Sequence, residues 1–102
     1  MVALPLILGV NCARAETLTA GVALDTMSSV EFSSYIQGIV EGLAQARYEK
    51  DGRNTDGMRC IYDWFYESGD TSLRDVIGGF EKFASHSPGA VMSGLINREC
   101  PS

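Results

Sequence analysis

Apolar residues recur at three- and four-residue steps through most of the chain, and nowhere does a sustained apolar/polar alternation appear, so the pattern predicts helices and no sheet. The clearest run is Phe32, Tyr35, Ile36, Ile39, Leu43 and Ala46, one face of a helix opened by Ser28 with Glu31 three residues on, the capping-box pair. Before it, Thr19 is placed to cap a short helix to about Thr26, with Val22 and Met27 turned inward. After it, Glu49 to Arg59 is polar, carries two Asp-Gly steps and reads as a connection. Ile61 to Tyr66 concentrates Tyr62, Trp64, Phe65 and Tyr66 into a short helix, mostly core, ended at Ser68-Gly69. Asp70 or Thr71 caps a further helix to about His86, with Leu73, Val76, Ile77, Phe80, Phe83 and Ala84 as its apolar face. Ser87-Pro88 opens the last one, because proline suits the first helical position; Val91, Met92, Leu95 and Ile96 form its buried face, and Pro101 closes it. The expected architecture is all-α, a compact bundle of four to five helices.

Within the longest helix a second stripe runs through Ser34, Gly38, Gly42 and Ala46. Glycine costs a helix roughly 1 kcal/mol against alanine. Two of them four residues apart therefore point to another backbone close by, within the fold or across a dimer. The same spacing packs membrane helices, but Glu31, Gln37, Glu41, Gln45 and Arg47 exclude that environment.

Val2 to Val10 is almost wholly apolar, and Ala13-Arg14-Ala15 follows. A run this short is far from the roughly 20 residues of a bilayer span; it reads as a secretory leader cut after Ala15, although no basic residue precedes it. Residues 16–102 then form a single exported domain. Cys12 leaves with the leader, and the even pair Cys60 and Cys100 remains. In an exported chain such a pair is expected to be bonded, two buried free thiols being the alternative. The bond would close a long loop two residues before the end of the chain, where fraying would otherwise begin.

The full chain of 102 residues carries 8 Lys and Arg against 13 Asp and Glu, a net charge of −5. Loss of Arg14 takes the processed form to −6. With no basic stripe, nucleic acid is excluded as a partner, and anionic membrane surfaces are disfavoured.

Little in the sequence resembles catalysis. His86, the single histidine, falls at an expected helix end, where a cation complements the dipole. Asp63 and Glu67 share a helix face but read as solvated acids. No phosphate loop, zinc motif or nucleophile elbow is present, so neither metal nor cofactor is expected and the protein reads as a non-enzyme.

The stretch Tyr35-Ile36-Gln37-Gly38-Ile39-Val40-Glu41-Gly42-Leu43, then Cys60, then Thr71-Ser72-Leu73, His86-Ser87-Pro88 and Arg98-Glu99-Cys100-Pro101, resembles the Rap/Tai-type immunity proteins, over roughly Phe32 to Pro101. These are small helical periplasmic proteins of Gram-negative bacteria that protect against peptidoglycan amidase toxins delivered by type VI secretion. The resemblance implies a periplasmic toxin inhibitor, often dimeric, that sets a loop and adjoining helix surface over the amidase cleft. By that analogy the partner-binding candidates are Asp51, Arg53, Asn54 and Asp56 in one loop, and Tyr62, Tyr66, Glu67 and Asp70 around the other. A second likeness is to the HdeA group of periplasmic acid-stress chaperones, also small, helical and built around one disulfide. A third option is a helical dimer or structural accessory paired through Gly38 and Gly42.

Overall fold

A computed structural model describes residues 18–102. The expected leader, residues 1–15, lies outside the described residues, as does Cys12. Five α-helices account for most of the rest: α1 (Ala20–Thr26), α2 (Ser29–Lys50), α3 (Asp56–Tyr62), α4 (Asp70–Lys82) and α5 (Pro88–Glu99). A five-residue π segment, Asp63–Glu67, continues α3 toward α4. No strand occurs among the described residues. The all-α expectation holds, and Cys60 is bonded to Cys100.

The helix starts follow local chemistry. Thr19 Oγ1 accepts from the Val22 amide, and Ser87 Oγ accepts from the Ala90 amide with Pro88 in the first turn. At α2 both halves of the capping box are made: Ser28 Oγ accepts from the Glu31 amide at 3.2 Å, and the Glu31 carboxylate accepts from the Ser28 amide at 2.8 Å.

The core runs down α2 through Phe32, Ile36, Val40 and Ala44, all four apart. It meets Ile61 and Trp64, Val76 and Phe80, and Val91, Met92, Leu95 and Ile96. Phe32 and Phe80 meet edge to face at 5.3 Å, tying α2 to α4. Tyr35, Ile39 and Leu43 flank this ridge half-buried.

Ala46, expected on the buried face, is exposed. Four other expectations need correction. Val22 points outward, 44% exposed, and the buried face of α1 is Ala20 and Ala23. The cause is backbone docking: the Ala20 and Gly21 amides donate to the carbonyls of His86 and Ala84 at 2.8 and 2.9 Å. Only small residues permit that approach, since a Cβ on Gly21 would stand 3.0 Å from the Ala84 Cβ. The same contact ends α4 early. The chain leaves the helix at Phe83, so Phe83 and Ala84 are exposed rather than part of the buried face, and the carbonyls that follow serve α1. The cap of α4 is Gly69, at φ +57, with Asp70 as first helical residue. Finally, the connection after α2 is only residues 51–55. Asp51-Gly52 makes a left-handed turn, with Gly52 at φ +65 and Arg53 at +69, whereas Asp56-Gly57 opens α3.

Gly57 opens α3 for a reason. It is buried against the Arg47 side chain, and a Cβ there would lie 2.5 Å from Nε and 2.6 Å from Cζ. Arg47, its side chain only 12% exposed, pairs with Asp51 at 2.8 Å and donates to the carbonyls of Cys100 at 2.7 Å and Pro101 at 3.1 Å. Lys50 adds a bond to Ser102 Oγ at 3.1 Å. The end of the chain is thus held to α2 by charge-assisted hydrogen bonds and to α3 by the disulfide.

Gly38 and Gly42 have the opposite surroundings. Both are exposed, and an added Cβ would meet nothing within 4 Å, so the close approach expected of them within the fold is absent.

Two substitutions follow with opposite signs. Gly42→Ala should raise unfolding stability by about 0.5–1 kcal/mol through helix propensity alone. Gly57→Ala should lower it by about 1–2 kcal/mol, because displacing Arg47 forfeits hydrogen bonds to a charged group worth more than the alanine gain. Urea unfolding reads both, and in an Arg47→Met background the Gly57→Ala penalty should vanish, as a shared contact requires.

Candidate functional site

The most structured polar surface is built from α2 and the π segment. Gln37 and Glu41 project one turn apart from the polar face of α2. Opposite stand Tyr62, at the end of α3, and Tyr66, in the π segment, with rings 6.0 Å apart and nearly parallel. Both hydroxyls donate to one carboxylate: Tyr62 to Glu41 Oε1 at 3.0 Å and Tyr66 to Oε2 at 2.9 Å.

The π segment carries Tyr66 one turn past Tyr62, and its i→i+5 backbone pairing leaves carbonyls to be satisfied elsewhere. Ser72, buried in the first turn of α4, supplies a hydroxyl within 2.9 Å of the Phe65 carbonyl and 3.0 Å of the Gly69 carbonyl. Phe65 meets Tyr66 edge to face at 5.1 Å, and Trp64 turns into the core beneath. A shallow depression of about 230 Å³ adjoins the cluster, bounded by Gln37, Phe65, Tyr66 and Leu73. Tyr66 remains 44% exposed at its edge. Gly38, one turn before Glu41, leaves the neighbouring surface of α2 bare.

The residues expected at a partner surface therefore fall in two groups. Tyr62 and Tyr66 come together, with Glu67 and Asp70 exposed just beyond them. Asp51, Arg53, Asn54 and Asp56 lie at the other end of α3, where Asp56 is about 9 Å from Tyr62 and about 15 Å from Tyr66 at helical rise. Two of that second group already have structural work. Asp51 holds Arg47, and Asn54 Oδ1 accepts from the Asp56 amide at 2.9 Å, fixing the entry to α3. Arg53 is exposed on its left-handed turn.

Sequence reasoning missed Glu41, Gln37 and Arg47 as organising groups. The phenols bound by Glu41 and the carbonyls bound by Arg47 lie tens of residues away along the chain, and only the Arg47–Asp51 pair, four residues apart, is a local signal.

The electrostatics of the cluster follow from Glu41. Hydrogen bonding to that carboxylate, then partial desolvation and its negative charge, raise the Tyr62 phenol above 10.0. For Tyr66 desolvation comes first; Glu41 raises it further while a hydrogen bond with Gln37 acts the other way. Phenols raised this way contribute stability that is fully present below pH about 10 and is lost as pH rises through their folded values.

Among the described residues no group of three His, Cys, Asp or Glu is placed to hold a metal ion, and no helix is long and apolar enough to cross a membrane. His86 stands exposed with its ring edge-on to Phe83 at 5.6 Å. The cluster offers hydrogen-bond donors, acceptors and flat aromatic faces. Searches of protein-family models, curated proteins and solved structures find no match to the chain.

Glu41→Gln should lower the Tyr62 ionisation toward 10 and make the rise in phenolate absorbance start earlier in an alkaline titration. An unchanged titration curve would show that the carboxylate does not engage the two phenols in solution.

Proposed function

We propose that this is a non-catalytic, exported binding protein of the immunity type, which acts in the periplasm by covering the active cleft of a secreted peptidoglycan amidase. The observation that carries the reading is the Tyr62–Tyr66–Glu41 cluster, a pre-ordered aromatic surface on a small helical scaffold closed by Cys60–Cys100. The resemblance of the Tyr35–Leu43 helix and the two cysteines to the Rap/Tai-type immunity proteins supplies the toxin class.

Physically, the arrangement suits tight binding. Tyrosine presents a large rigid face at low entropic cost, and such residues dominate interface energetics. Glu41 holds both rings in place before any partner arrives, which reduces the ordering cost of association. A net negative charge steers encounter with a basic partner. Glu67 and Asp70, exposed beside Tyr66, put acidic groups at the rim, where charge sets on-rate more than affinity. The scaffold admits binding as a monomer or as a dimer.

The test is inhibition of a peptidoglycan amidase encoded beside this protein, with affinity measured by calorimetry. Tyr66→Ala should weaken binding about 30-fold or more, as loss of an interface anchor does, with unfolding stability lowered by only about 1 kcal/mol. Amidase hydrolysis that proceeds unaltered in the presence of excess protein would end the proposal. Prevention of client aggregation in acid, without amidase binding, would instead favour the acid-stress chaperone reading.

A further inference from the structure

Away from the tyrosine cluster, a groove of about 340 Å³ opens between α4 and α5, within the range of small-molecule sites. Phe83 and Gly79 form its α4 side, and Ala90, Val91, Gly94 and Leu95 its α5 side. The floor is tight, since a Cβ on Gly79 would stand 3.3 Å from both Leu95 and Val91. The mouth is open, because a Cβ on Gly94 would meet nothing within 4 Å. Phe83, half out of the core at 44% exposure, is the largest apolar surface on the wall.

The only polar side chains lining the groove are His86 and Arg98, and both are basic types. Lys82 stands close by, its ammonium 5.5 Å from the centre of the Phe83 ring. Arg98 has Glu99 at 3.4 Å, but both are more than a third exposed and such a pair holds little energy, so the guanidinium stays open to another anion. In a chain of net charge −5, the cations Arg98 and Lys82, with the imidazole of His86 as a hydrogen-bonding group, form a local complement to a negative head group.

Backbone chemistry narrows the occupant further. The walls of the groove are largely helical, and α4 and α5 spend their backbone hydrogen bonds internally. An extended peptide laid along the groove would bury amides without partners, at a cost that hydrocarbon does not incur. We infer that the α4–α5 groove binds a single-chain fatty carboxylate, its chain along Gly94 and Leu95 and its head group toward His86 and Arg98. This inference is independent of the amidase reading, which rests on a different surface.

Titration calorimetry with decanoate, octanoate and decanol tests it on the purified protein. Decanoate should saturate one site, with octanoate weaker by about fourfold per methylene removed. Decanol, with the same chain and no charge, should bind about tenfold more weakly than decanoate. Arg98→Gln should remove most of that difference. Gly94→Leu, whose Cβ has nothing within 4 Å, puts a side chain in the mouth and should abolish binding while leaving the protein about as stable. Absence of saturable decanoate binding, decanol equal to decanoate, or a Gly94→Leu variant of full affinity would each overturn the assignment. So would sedimentation showing a dimer that Gly94→Leu dissociates, since the groove would then belong to a second copy of the chain.

Discussion

Cys100 is held at one corner of the molecule by two bonds of different kinds. Its sulfur joins Cys60 in α3, and its carbonyl accepts from Arg47 in α2. A chain of this length buries only about two-thirds of its unfolded surface, and its margin of stability is about 5–15 kcal/mol. Closing 40 residues covalently removes about 4 kcal/mol of unfolded-state entropy on the chain-entropy view. The guanidinium adds direction to that constraint. It satisfies the carbonyls of Cys100 and Pro101 where α5 runs out, and it is itself neutralised by Asp51. Gly57 belongs to the same corner, because any side chain there would occupy the volume of the guanidinium.

With that corner closed, α2, α3 and α5 have fixed relative positions, and the two surface features follow. α3 and the π segment present Tyr62 and Tyr66 to Glu41 on α2. At the other side α1 docks by backbone on the Phe83–His86 turn, which ends α4 and leaves Phe83 facing the α4–α5 groove. The tyrosine cluster is polar at its edges and suits a protein surface. The groove is apolar with a basic lining and suits a small amphipathic anion.

Much of the fold was legible in the sequence because the decisive signals were local. Ser28 with Glu31, Thr19, and Ser87 with Pro88 each marked a helix start within four residues, and the last helix buries Val91, Met92, Leu95 and Ile96 as its spacing required. Errors arose where a distant partner decided the outcome. Val22 faces out because α1 needs its small residues against Ala84, and Asp56-Gly57 opens a helix because Arg47 needs the space. The candidate site was half legible for the same reason. Tyr62 and Tyr66 were reached only through the family resemblance, within an aromatic patch read as mostly core, whereas Glu41, which orders them, is an ordinary polar position on α2 until the fold brings it across.

The closed corner is what the scaffold and both surfaces have in common, so its contribution is the quantity to measure. Urea unfolding of the oxidised protein, compared with a Cys60→Ala/Cys100→Ala double variant, isolates it. The account predicts a cooperative transition in both, with the variant less stable by about 4 kcal/mol. Coincident unfolding curves would mean that the helices hold the corner without the bond, and would contradict it.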